Sequence, residues 1–119
     1  MTGLLLAGAV LGLLAVVLGA FAAHVLRERL SAERFTTFQV GVQYQMYHAL
    51  AIVASAAVAG RAPGLVRDAD TFFVAGVVLF SGSLYLVSLM GLRKFGMVAP
   101  LGGLALIVGW ALLFAAIMR

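Results

Sequence analysis

The chain has no cysteine, so it can hold no disulfide, no thiolate metal site and no lipoprotein anchor. Charge is almost as scarce, with 8 Lys and Arg and 4 Asp and Glu among 119 residues. These charges fall in only four places: Arg27 to Arg34, Arg61 to Asp70, the pair Arg93 and Lys94, and Arg119. The uncharged runs cover residues 1–26, 35–60, 71–92 and 95–118. Each exceeds the roughly 20 helical residues needed to cross a hydrocarbon core, where a charge would cost several kcal/mol. No run has the charged stripe that keeps the outer face of a soluble helix in water. A basic stripe interleaved with exposed aromatics is missing too, so the net charge of +4 is loop arginine and no nucleic-acid partner is expected.

What remains is apolar. Hydrophobic residues make up 65% of the chain and its mean hydropathy is +1.17, against about 45 to 50% apolar residues in globular proteins. The reading is all-α: an integral membrane bundle of four transmembrane helices, at about residues 3–26, 38–60, 70–92 and 97–118. A short interfacial helical segment follows the first helix, and residues 1–119 form a single transmembrane domain. Ala20-Phe21-Ala22 resembles a signal-peptide cleavage site. Met1 to Gly3 carries no Lys or Arg, however, and the run from Leu4 to Ala23 exceeds a signal's apolar region, so a retained first helix is expected.

Local signals set the boundaries. Ser31 can cap the second helix, with Glu33 in its positive first turn. Arg61-Ala62-Pro63-Gly64 supplies a break, and Pro100 fits a first helical turn. Only Gly91 to Gly96 separates the last two helices, which makes them antiparallel neighbours. Arg27, Arg29, Arg34, Arg93 and Lys94 lie on one side, against Arg61, Arg67 and Arg119 on the other. By the positive-inside rule the first and third loops face the cytoplasm and both termini lie outside.

Gly8, Gly12, Ala15, Gly19 and Ala22 line up on one face of the first helix. Such a face lets backbones approach closely. It serves packing within the bundle or, alternatively, a homo-oligomer or membrane protein partner through Gly8, Gly12, Ala15 and Gly19.

The second helix carries the strongest polar signal, Gln43-Tyr44-Gln45-Met46-Tyr47-His48. At about 100° per residue, Gln43, Tyr44, Tyr47, Ser55, His48, Gly41 and Gln45 share a broad face, leaving Val42, Met46, Ala49 and Val53 toward lipid. A buried polar group needs a partner. The third helix offers Ser81, Tyr85 and Ser88 in one stack, with Gly76 and Ser83 on a second small face. The expected polar seam is therefore His24, Gln43, Tyr44, Gln45, Tyr47, His48, Ser81, Ser83, Tyr85 and Ser88. It reads as a structural clasp or as a site for a ligand, lipid headgroup or proton.

No catalytic, cofactor-binding or metal residues are expected, and no cofactor. His24 and His48 lie about 3 Å and about 15 Å below the interface by helical rise, too far apart in depth to share a metal. His24 is expected to pair with Gln43 or a headgroup. The carboxylates Glu28, Glu33, Asp68 and Asp70 are all placed at the membrane surface, leaving His48 without an acidic partner.

Gly19-Ala20-Phe21-Ala22-Ala23-His24, Tyr44-Gln45-Met46-Tyr47-His48-Ala49-Leu50, Phe80-Ser81-Gly82-Ser83-Leu84-Tyr85, Pro100-Leu101-Gly102-Gly103 and Gly109-Trp110 together resemble the domain of unknown function 423 family. These are small bacterial inner-membrane proteins related to transmembrane protein 256 of eukaryotes. The resemblance spans the chain in order and implies a four-helix multi-pass inner-membrane protein, with no established activity, substrate or cofactor. Ala22 and Val25, where the family often has glycine, and Ala99, where threonine commonly precedes the proline, depart from it.

The expected function is a non-enzymatic structural or partner-binding membrane component acting through lipids or a protein partner. The alternative is a small channel or transporter using the polar seam of the second and third helices.

Overall fold

Four helices account for almost the whole of the protein, which a computed structural model describes over residues 2–119, with no strand among the described residues. Helix α1 spans Thr2–Arg29, with a wider π-type turn at Ala22–Leu26. Helix α2 is Ala32–Ser55, α3 is Pro63–Met90 and α4 is Ala99–Met118. Short 3-10 turns at Ala56–Val58 and Arg93–Met97 lie in the connections.

Local chemistry explains these limits. Leu30 is extended and separates α1 from α2. The Ser31 hydroxyl then accepts the Arg34 N–H at 3.2 Å and caps α2, satisfying one of the donors every helix start leaves free. Helix α3 starts at Pro63 rather than near Asp70, because proline suits a first helical position and begins the helix instead of breaking the chain. It ends at Gly91, whose φ of 69° is a left-handed turn that a Cβ would strain. Arg34 reaches over from α2 and donates from Nε to the Ser88 carbonyl at 2.7 Å, placing a cation at the negative end of α3.

Each helix packs on the next in the chain. The most extensive contact joins α3 to α4, while α3 touches α1 only lightly. The bundle measures 47 × 27 × 19 Å, so it is about two helix diameters thick.

Glycine sets how closely these helices approach. On α1, a Cβ at Gly8 would lie 2.7 Å from Ile52 Cγ2, and Cβ atoms at Gly12 and Gly19 would touch Ala49 and Val42. The small-residue face of α1 is thus covered by α2 of the same chain, with Ala15 and Ala22 buried beside it. Between α3 and α4, a Cβ at Gly102 would lie 2.8 Å from Phe80 Cα and 2.9 Å from the Gly76 carbonyl oxygen. A Cβ at Gly109 would meet the Phe73 ring at 2.6 Å.

The seat of α2 differs from the sequence expectation. Ala49 is buried against α1, and Val42 packs in the cluster around Ala22, Leu26 and Phe38. Val42 and Ala49 of the arc assigned to lipid therefore face α1, because α1's missing side chains leave room for them, while Val53 of the same arc is 49% exposed as expected. The open stripe of α2 runs through Gln43, Tyr47 and Leu50 instead.

Outward surfaces elsewhere are strongly apolar, with Leu13 64%, Ile107 65% and Phe114 67% exposed. Three helices are long and apolar enough to cross a membrane: Thr2–Arg29, Pro63–Met90 and Arg93–Met118. Helix α2 is not among them, since Gln43 to His48 lowers its hydropathy, although four such spans were expected.

Because the atoms crowding Gly102 are backbone, Gly102→Ala should destabilise the bundle by about 1–3 kcal/mol, the usual cost of overpacking. Gly103→Ala should not, because its Cβ would stand 3.9 Å from the Phe80 ring. Thermal unfolding of both variants in one detergent checks this, and equal midpoints would refute the close-approach account.

Candidate functional site

Helix α2 concentrates the polar chemistry because three of its buried side chains, Gln45, His48 and Ser55, each reach a different place. Gln45 lies one turn from Gly41, where the absent side chain admits the Tyr85 ring; a Cβ there would sit 2.8 Å from Tyr85 Cε1. Gln45 Nε2 donates to the Leu11 carbonyl of α1 at 2.8 Å, and its Oε1 accepts the Tyr85 hydroxyl of α3 at 2.6 Å. One side chain thus joins three helices. Close by, the Ser81 hydroxyl donates to the Gly41 carbonyl at 2.6 Å.

His48 faces the other way. Its Nε2 lies 3.0 Å from Trp110 Nε1 on α4, and its Nδ1 lies 2.6 Å from the Tyr44 carbonyl. An indole N–H can only donate, so Nε2 is the acceptor. The hydrogen of the ring is then on Nδ1, which donates to Tyr44, and the imidazole is neutral. Phe73 packs against both rings, at centroid distances of 5.5 Å from His48 and 5.3 Å from Trp110. Tyr44 stacks near Phe80 at 4.6 Å.

The His48, Trp110 and Phe80 rings floor a groove of about 900 Å³ between α2 and α4. Its walls are Leu104, Ile107, Leu101 and Pro100 on one side and Tyr44 and Tyr47 on the other. A second, smaller groove of about 430 Å³ lies between α1 and α3, with Gln45, Ser81 and Tyr85 at its base.

The remaining seam residues are dispersed. Ser83 and Ser88 donate back to the Leu79 and Tyr85 carbonyls of their own helix. Tyr44 and Tyr47 are exposed at the groove, and His24 and Gln43 are exposed on α1 and α2. The structure therefore brings together Gln45, Ser81 and Tyr85 in one cluster and His48 with Tyr44 in another.

The sequence pattern of the family described as "Protein of unknown function (DUF423)" matches residues 18–103. The chain belongs to this family. Among its relatives, the UPF0382 membrane protein YwdK of Bacillus subtilis (strain 168) is 41% identical over 114 residues, covering 94% of this chain and 93% of its own length. The UPF0382 inner membrane protein YgdD of Escherichia coli (strain K12) is 39% identical over 117 residues, covering 98% of this chain and 89% of its own. The UPF0382 membrane protein SSP2132 of Staphylococcus saprophyticus is 39% identical over 106 residues, covering 89% of this chain and 88% of its own. No solved structure matches the chain.

Two features of this DUF423 chain escaped the sequence reading. Trp110, the partner of His48, is 62 residues away along the chain, and no spacing rule links such positions. Asp70 was placed at the membrane surface and is instead 0% exposed, beside Ser55. Its helical phase carried the signal, since Val66, Phe73 and Val77 on the same face are all buried.

Gln45 and Tyr85 act as a unit, so the variants Gln45→Leu and Tyr85→Phe should be less than additive. Bonds of this kind between membrane helices are worth about 0.6 to 2 kcal/mol. A double-mutant cycle on unfolding free energy should return a coupling in that range, whereas strict additivity would mean that the bond contributes nothing.

Proposed function

We propose that this protein is a non-enzymatic, multi-pass component of the bacterial inner membrane, and that the groove between α2 and α4 receives the acyl chain of a membrane lipid. All four helices cross the bilayer in this reading. For α2 the support is that its buried polar side chains Gln45, His48 and Ser55 all find partners inside the protein, so most of its polarity is turned away from hydrocarbon, Gln43 being the exposed exception. The end of the bundle carrying Arg34 and Lys94 faces the cytoplasm, and both termini lie on the opposite side.

The observation that carries the lipid assignment is the shape and chemistry of the groove. It holds about 900 Å³, is lined almost wholly by apolar and aromatic side chains, and is bordered by the exposed Tyr44 and Tyr47. An acyl chain matches its walls. The polar clasp of Gln45, Ser81 and Tyr85 then has a structural task, fixing α2 against α1 and α3 while α4 is held separately by α3.

The only tryptophan of the chain, Trp110, stands in this groove and reports on it. In bilayers containing a small fraction of brominated phospholipid, Trp110 fluorescence should be quenched beyond what that mole fraction predicts, for at least one headgroup class. Gly103→Leu, which adds a side chain to the groove wall, should reduce the excess quenching and leave the unfolding midpoint unchanged. Quenching that merely tracks the mole fraction for every lipid would reject a lipid site there.

A further inference from the structure

Where α2 ends and α3 begins, away from the groove and the clasp, a carboxyl group lies inside the bundle. Asp70 is 0% exposed and Ser55 is 1% exposed. Asp70 stands about 10 Å along α3 from Pro63, by helical rise. Ala69 and Phe73 beside it on α3 and Ile52 on α2 are also 0% exposed, so its surroundings are apolar.

Counting hydrogens favours one state of this group. Ser55 Oγ lies 2.9 Å from each Asp70 oxygen and 2.6 Å from the Ile52 carbonyl. A hydroxyl has one hydrogen to give. If Asp70 were ionised, that hydrogen would have to serve both the carboxylate and the carbonyl. A proton on Asp70 removes the conflict: the acid donates to Ser55 Oγ, and Ser55 donates to Ile52.

Among the described residues no ion pair involves Asp70. The one ion pair among the described residues joins Arg67 and Asp68, which are exposed to solvent on α3. From α2 the facing groups are Ser55 and Ile52, and the nearest ionisable side chain is His48, about two turns back and bonded to Trp110. The facing end of α4 has Arg119 as its one charge, and Arg61 lies in the connection; both are exposed. Residues 2–8 of α1 have no ionisable side chain. An unpaired carboxylate is very costly to bury.

We propose that Asp70, with Ser55, is a proton-binding site within the membrane-embedded bundle. The ligand is a proton held between the carboxyl and hydroxyl oxygens, and Ile52 completes the chain of bonds. Its chemistry is that of a neutral carboxylic acid in an apolar setting.

The test uses the whole protein in proteoliposomes at neutral pH. Infrared difference spectra between wild type and Asp70→Asn should contain the C=O stretch of a protonated carboxylic acid, lost in the variant. Asn keeps a donor toward Ser55, so the variant should retain the wild-type unfolding midpoint. Dicyclohexylcarbodiimide, which adds whole to a protonated carboxyl with no leaving group, should label Asp70 and spare Glu28, Glu33 and Asp68, as read by peptide mass mapping. A carboxylate band at Asp70 overturns the proposal. So does protection from labelling by sodium ions, which would make the site one for a metal cation.

Discussion

A polar side chain on a helix in an apolar surrounding must find its partner on another helix or on its own backbone, and this single demand organises the protein. Four buried groups show how it is met. Gln45 uses both ends of its amide, one on the α1 backbone and one on Tyr85. Ser81 donates to the Gly41 carbonyl, His48 is bonded on both nitrogens, and Asp70 lies against Ser55. No buried side-chain nitrogen or oxygen among the described residues lacks a partner. Each bond fixes a helix in depth and in rotation, which apolar contacts alone do weakly because hydrocarbon resembles Leu as closely as another Leu does.

Glycine makes those bonds geometrically possible. Gln45 can reach a carbonyl of α1 only if the two backbones lie close, and Gly8 and Gly12 provide this, with Ile52 and Ala49 of α2 in the vacated space. Gly41 plays the same part toward α3 by admitting the Tyr85 ring. The attachment of α4 is different in kind. It rests on Gly76, Gly102 and Gly109 fitting against Leu106, Phe80 and Phe73, so it depends on dispersion.

Much of this was legible in the sequence. The partition of charge gave the helices, Ser31 gave a cap, and the small-residue face of α1 and the polar face of α2 were both visible as periodicities. What periodicity cannot supply is the direction of a face. Val42 and Ala49 read as lipid-facing because they are apolar, yet they lie against α1, since an apolar side chain suits lipid and a glycine groove equally well. The same ambiguity hid Asp70, whose position beside Arg67 and Asp68 suggested the surface although its phase matched Val66 and Phe73. Charge scarcity located the helices; it could not tell the exposed Asp68 from the buried Asp70 two residues further along.

The two kinds of attachment also account for the open groove. Helix α2 is bound by hydrogen bonds to α1 and α3, and α4 is bound by close packing to α3, so nothing requires α2 and α4 to meet along their length. Their direct link is one hydrogen bond, Trp110 to His48, with Phe73 of α3 packed against both rings from below. A leucine at position 110 could let the helices close further but would leave His48 Nε2 without its donor, and a buried acceptor left unpaired costs about 1–3 kcal/mol. The bond that satisfies His48 therefore also lies in the lining of the groove. That links a requirement of folding to the larger of the two grooves.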